Sequence, residues 1–138
     1  MRLSAFTVTD TTPQLLIDIT KLYLPFTDDE AAIKTAYDSV ISDNTRDLFV
    51  AKFNDRHIAG LIIEYDSSNA LLSCIAVRDI TQQRGVGKFL IQQILAQSKS
   101  KKIQTVKINK DEKLSPKLVK LLISLGFTEK VSELSITL

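Results

Sequence analysis

Val77-Arg78-Asp79-Ile80-Thr81-Gln82-Gln83-Arg84-Gly85-Val86-Gly87-Lys88-Phe89-Leu90 joins an apolar run to a run of helical spacing, through a turn that carries two of the chain's four glycines. Upstream, Leu71 to Val77 is almost continuously apolar, the pattern of a strand covered on both faces at the centre of a sheet. Downstream, Val86, Phe89, Leu90, Ile94 and Leu95 fall on one side of a helix, and Lys88, Gln92, Gln93 and Gln97 on the other. A strand, a glycine turn and a helix start in succession suit a phosphate: the first N–H groups of a helix and its dipole attract an anion, and residues without side chains let it approach the main chain. Arg84 and Lys88 can add positive charge. Taken alone, the two glycines serve equally well to shape a strand-to-helix turn.

Two familiar phosphate motifs do not fit. The loop of nucleotide hydrolases, G-x-x-x-x-G-K-[ST], needs an earlier glycine and a hydroxyl after the lysine, whereas Lys88 is followed by Phe89. A dinucleotide-binding turn wants three glycines after the first strand, whereas this turn follows the fourth expected strand and has two.

Outward from the turn, periodicity gives the remaining elements. Arg2 to Val8 reads as a strand, and Thr12 followed by Pro13 opens a helix with Leu15, Leu16, Ile19, Leu22 and Tyr23 on its apolar face, ended by Pro25. Thr27 with Glu30 forms a capping box for a second helix, with Ile33, Ala36, Tyr37, Val40 and Ile41 as its buried stripe. Leu48 to Phe53 and Ile58 to Tyr65 form a hairpin whose polar tip is Asn54, Asp55 and Arg56. Ile103 to Ile108 is a strand. Ser115 and Pro116 start a last helix, closed by Gly126, and Phe127 to Leu138 is a final strand or hairpin. The expected order is β, α, α, β, β, β, α, β, α, β.

Composition limits the classes of function. The 138 residues fit one compact α/β domain, 1–138. A formal net charge of +2 makes neither nucleic acid nor an anionic membrane a default partner, though it tolerates a phosphorylated ligand. A lone cysteine, Cys74, excludes an intrachain disulfide and a thiolate zinc site, and no metal is expected. With no signal-like start and no apolar run long enough to span a bilayer, the expected location is the cytoplasm.

Gln82-Gln83-Arg84-Gly85-Val86-Gly87 matches [QR]-x-x-G-x-[GA] after a central strand and resembles the acyl-CoA pyrophosphate motif of the GNAT superfamily. Leu125-Gly126-Phe127, after an amphipathic helix, is similar to the Gly-Phe pair near the C-terminal strands of that family. The segments 49–56 (F-V-A-K-F-N-D-R) and 77–90, with Leu125-Gly126-Phe127-Thr128, resemble the PanZ (PanM) group within it. The resemblance implies a GNAT fold: a central mixed sheet with splayed strands, flanked by about four helices. It implies acetyl-CoA or CoA as ligand, with main-chain groups of Ile75, Ala76 and Val77 along the pantetheine arm. Gln82, Gln83, Arg84, Gly85, Val86, Gly87 and Lys88 would hold the pyrophosphate, and Asn109 would line the arm. Members of the group bind the aspartate 1-decarboxylase precursor and promote the backbone rearrangement that makes its pyruvoyl group, using CoA as a signal.

Catalysis is left open. Acetyl transfer to an amine needs a base and usually an acid near the thioester. The position where many relatives of the superfamily carry a tyrosine acid is Leu122. Glu64 is the acid/base candidate, with a solvent-facing strand residue as its alternative reading. His57 is expected to be a solvated turn residue at the hairpin tip, and Cys74 a small buried core residue. The alternative function is an active N-acetyltransferase that moves acetyl from acetyl-CoA to a primary amine of a small molecule or protein.

Overall fold

In a computed structural model, residues 3–9, 12–23, 29–53, 56–78, 85–110 and 115–138 are described. Seven strands, β1 (Leu3–Thr7), β2 (Arg46–Phe53), β3 (Arg56–Asp66), β4 (Asn69–Val77), β5 (Thr105–Asn109), β6 (Thr128–Glu129) and β7 (Glu133–Thr137), form one sheet in the order β1-β2-β3-β4-β5-β7-β6. Neighbours are antiparallel except β4 and β5, which run parallel and are joined through the helix α3 (Val86–Ser100). The other helices are α1 (Pro13–Tyr23), α2 (Glu30–Ile41) and α4 (Pro116–Ser124).

Helix boundaries follow from local chemistry. The Thr12 hydroxyl accepts from the Leu15 N–H at 3.1 Å, which satisfies one of the amides that a helix start leaves unpaired. Ser115 does the same for Leu118, also at 3.1 Å, with Pro116 at the first helical position. At the other end of α4 the Gly126 N–H bonds to the Ile123 carbonyl and the Phe127 N–H to the Leu122 carbonyl. Gly126 has φ +107°, and buried Phe127 closes over the last turn, so the Leu-Gly-Phe signature is a left-handed helix stop. The expected capping box of α2 is corrected: the cap is Asp29, whose carboxylate accepts from the N–H groups of Ala31 and Ala32. Glu30 is then the first helical residue, too early to reach back to the cap, and Thr27 lies outside the described residues. Ala36, expected in the buried stripe of α2, is exposed, whereas Ile33, Tyr37 and Val40 are buried.

The core has two layers because neighbouring residues of a strand point to opposite faces. Leu48 and Val50 pack with Leu15, Ile19, Leu22, Ile33, Tyr37 and Val40 of α1 and α2. Phe49 and Ala51 pack on the other face with Leu90, Ile91 and Ile94 of α3, together with Leu72, Ile108, Leu122 and Leu134. Each fully buried Leu or Ile in these layers contributes roughly 1.5–3 kcal/mol of burial free energy.

One irregularity in β4 organises everything near its end. Against β3, Ala76 pairs with Gly60 and Ser73 pairs with Ile62, so Cys74 and Ile75 together oppose Leu61 alone. This β-bulge holds Cys74 at φ +52°. The extra residue reverses the alternation: Ala70 and Leu72 enter the α3 layer before it, Ile75 and Val77 pack there after it, and Ala76 turns toward α1. Cys74 is exposed, which corrects its expected place in the core: the added residue takes it out of both buried registers.

Candidate functional site

Where β4 bulges, it also leaves β5. The parallel pairing runs from Asn69↔Thr105 to Leu72↔Ile108 and stops there, although both strands continue. A gap therefore opens between the second half of β4 and the end of β5. On the β3 side, β4 stays in register, with Ala76 opposite Gly60, Val77 opposite Ala59, and the Arg78 N–H donating to the Ile58 carbonyl at 2.8 Å. In an antiparallel ladder alternate residues turn their main-chain groups to opposite neighbours. Arg78 and Ala76 thus face β3, and the main-chain groups of Ile75 and Val77 face the gap. The Tyr23 hydroxyl, at the end of α1, donates to the Cys74 carbonyl at 2.6 Å and ties the bulge to the helix layer.

The start of α3 lies in the same region, since Val77 comes within 3.9 Å of where a Cβ on Gly87 would stand. Gly85 is the N-cap, with φ +75° and no side-chain hydrogen bond to the helix. A Cβ there would meet nothing within 4 Å among the described residues, and the left-handed backbone itself calls for glycine. The Gly85 carbonyl accepts from the Phe89 N–H, which leaves the N–H groups of Val86, Gly87 and Lys88 without an intrahelical acceptor. Gly87 differs from Gly85. Its added Cβ would lie 3.4 Å from the Leu121 side chain, so it lets the first turn of α3 pass close to α4 as well as leaving its amide bare. Val86 is buried and Lys88 exposed. Gln82, Gln83 and Arg84 lie outside the described residues.

Asn109 is exposed and is the first residue of β5 beyond the last pair with β4, opposite Glu133 of β7. Glu64 is exposed too, opposite Leu71 on β3, before the bulge and away from the open end. One strand therefore turns main-chain groups toward an opening whose far side begins at Asn109, and a helix start without a side-chain cap stands near it.

A family model described as an acetyltransferase (GNAT) domain, PanZ, matches residues 2–135. The chain belongs to that family. It is 33% identical over 55 residues to the PanD regulatory factor of Escherichia coli (strain K12), a stretch covering 40% of this chain and 42% of that protein. The matched segment thus spans less than half of that relative's length. Among solved structures, the protein YhhK of E. coli bound to coenzyme A superposes with a TM-score of 0.78 at 19% identity, over 99% of both chains. A GNAT family acetyltransferase from Elizabethkingia anophelis with acetyl-CoA bound gives 0.76 at 18% identity, over 99% of this chain and 98% of the other. At such identities these two likenesses establish the fold.

Within this PanZ-family chain, Leu122 is fully buried in the α3-side core, beneath the helix stop that Phe127 closes. The position that holds a tyrosine in many GNAT proteins is here part of the packing. Lys101 ends α3, at the opposite end of a 15-residue helix from Gly85, and is engaged with Asp47 at 3.6 Å and with the Tyr65 ring.

A second polar constellation was not expected from the sequence. Asp18 of α1 is buried, and its carboxylate accepts from Gln14 Nε2 and Arg56 Nε on one oxygen, and from the His57 N–H on the other. That second oxygen is also 2.9 Å from His57 Nδ1. Burial pushes the Asp18 carboxyl up, but the hydrogen bonds from His57, Gln14 and Arg56 outweigh it and hold it below the ordinary carboxylate value. His57 is therefore a buried partner of α1, which corrects its reading as a solvated turn residue. The signal was present: Asp18 stands three residues after Leu15 and four before Leu22, on the stripe that α1 buries.

Proposed function

We propose that this chain binds acetyl-CoA or CoA and acts as a CoA-dependent regulator that promotes maturation of the aspartate 1-decarboxylase precursor. The observation that carries the reading is the bulge at Cys74, because one extra residue both opens the sheet and turns the main chain of Ile75 and Val77 into the opening. An extended amide-bearing arm would add to that edge as a further strand would. The bare amides of Val86 and Gly87, the left-handed Gly85 and the charge of Lys88 suit a diphosphate at the end of the arm, with Gln82, Gln83 and Arg84 completing the turn and Asn109 lining the far wall. The groups present fit the ligand: amides with no acceptor within the helix, no described atom within 4 Å of a Cβ at Gly85, and a helix dipole of the right sign.

Regulation is favoured over acetyl transfer by Leu122, a buried side chain with no proton to give, and by Glu64, which is exposed and sits on β3 before the bulge, away from the gap. The likeness over 55 residues to a protein named PanD regulatory factor supports the same direction. The test has two stages. Isothermal titration of the full chain with acetyl-CoA is expected to give saturable binding that weakens at least about tenfold, or 1.4 kcal/mol, in Lys88→Glu. The chain is then mixed with uncleaved aspartate decarboxylase precursor, with and without acetyl-CoA, and cleavage is followed by mass spectrometry. Cleavage that needs both is the expected result. Release of free CoA with an amine acceptor, and no effect on the precursor, would overturn it.

A further inference from the structure

One peptide group of β4 is held from outside the sheet. A bulge leaves its extra residue out of the ladder, so the Cys74 carbonyl draws its donor from another element. The Tyr23 hydroxyl supplies it at 2.6 Å, from 51 residues away in the chain. Among the described residues, the non-glycine positions with positive φ are Ser67, Cys74 and Lys102. Ser67 and Lys102 lie in the turns after β3 and α3, whereas Cys74 stands within a strand. A left-handed residue that carries a Cβ persists where its surroundings fix it.

Pairing pins the strand on either side: Ser73 to Ile62 before the bulge, Ala76 to Gly60 and Val77 to Ala59 after it. Cys74 and Ile75, between these pairs, have no register partner on β3. A peptide unit is planar and trans, so the C=O of Cys74 and the N–H of Ile75 belong to one rigid plate and point in opposite senses. By holding the carbonyl, Tyr23 therefore sets the direction of the Ile75 N–H, one of the main-chain groups turned toward the gap. Tyr23 is itself anchored. Its ring packs against the α1-side core layer, to which Ala76 belongs, and a tyrosine delivers its hydroxyl with only two side-chain torsions to order. Gly60, the partner of Ala76, leaves it space: a Cβ there would stand 3.5 Å from the Tyr23 hydroxyl and 3.5 Å from Leu22 Cδ2.

We infer that Tyr23 is a positioning residue for the extended arm of the ligand: through the Cys74 carbonyl it aims the Ile75 N–H at the arm, and it takes no part in holding the diphosphate at the start of α3. The site then has two separate determinants, a hydroxyl of α1 for the arm and the bare amides of α3 for the phosphates. The identity of the ligand rests on the acyl-CoA reading above; the control of the Ile75 peptide by Tyr23 does not.

The experiment uses the full chain and Tyr23→Phe, which keeps the ring and its packing and removes only the hydroxyl. Both proteins are titrated calorimetrically with acetyl-CoA and with 3′-phosphoadenosine 5′-diphosphate, the half of CoA that lacks the arm. Acetyl-CoA affinity is expected to fall roughly fivefold to tenfold in the variant, the effect of one hydrogen bond, while the nucleotide half binds both proteins alike. Equal affinity of the two proteins for acetyl-CoA would overturn the inference. So would an equal loss for both ligands, because a general loosening of the fold produces that result. In the ligand-free proteins, NMR relaxation gives the order parameter of the Ile75 amide. It is expected to drop from about 0.85 in the native chain to below about 0.6 in Tyr23→Phe, with that of Ala76 unchanged; an unmoved Ile75 value would sink the control of this peptide by Tyr23. A native chain that takes up neither ligand brings down the acyl-CoA reading and the arm with it, whereas a native chain that binds acetyl-CoA no better than the variant brings down only the role of Tyr23.

Discussion

The start of α3 and the carboxylate of Asp18 treat hydrogen bonding in opposite ways. At Gly85 the helix begins with no side-chain cap, in a left-handed turn where an added Cβ would meet no described residue within 4 Å, and its first amides have no acceptor within the helix. Asp18 is 1% exposed, and every direction around its carboxylate is taken up by Gln14, Arg56 and His57. The other three helices resemble Asp18 more than α3, since Thr12, Asp29 and Ser115 each cap a helix with a side-chain oxygen. A closed polar group holds the fold together, because a buried acceptor without donors is costly. An open one stores no such stability and is free to be completed by a ligand.

Substitutions that exchange these roles would break the contrast. The largest loss of stability is expected for Asp18→Ala, which strands the buried His57 N–H and its ring nitrogen. At about 1–3 kcal/mol for each unsatisfied buried group, a fall of at least about 2 kcal/mol should appear in urea unfolding at neutral pH. Next comes Gly85→Val. The left-handed backbone costs roughly 1–2 kcal/mol for a residue with a Cβ, and acetyl-CoA affinity measured by titration should drop tenfold or more, whereas Asp18→Ala, if still folded at low temperature, should keep it.

Acidity sharpens the same contrast. Asp18 has a folded-state pKa below its ordinary 3.8, so its ionised form is the one the fold prefers. Its stabilisation is complete above the unfolded value and fades as pH falls below about 3.8 toward the folded one. The stability gap between the native chain and Asp18→Asn should accordingly narrow between neutral pH and pH 3 in urea midpoints. The smallest effect is expected for Ser115→Ala, which removes an exposed cap. It should cost about 1 kcal/mol with no change in acetyl-CoA titration, because that helix start is already satisfied by the chain itself.

Much of this was legible along the chain. Thr12-Pro13, Ser115-Pro116 and Leu125-Gly126-Phe127 specify helix ends through contacts within a few residues, so reading them needs no knowledge of the rest of the molecule. The apolar run at Leu71–Val77 followed by Gly85 and Gly87 announced a central strand and a glycine-led helix start for the same reason. Two readings went astray where a distant partner decides, and a third, the cap of α2, within one turn of the helix start. Cys74 sits in an unbroken apolar run, yet the bulge that expels it depends on the register of β3. His57 stands beside a hairpin tip, yet α1 reaches across and supplies Asp18. The cap of α2 moved two residues on, where Asp29 rather than Thr27 meets the helix amides.

By itself, then, the sequence determined the order of strands and helices, the helix stops and the candidate phosphate turn, because each is written in hydrophobic period or in short-range capping. The gap between β4 and β5, the turning of Ile75 and Val77 toward it, and the meeting of Asp18 with Arg56 and His57 were decided only by tertiary structure. They arise from pairing register and from side chains 38 and 39 residues apart in the chain meeting in space, and no local pattern encodes which strand neighbour a residue will lose or which buried partner it will find.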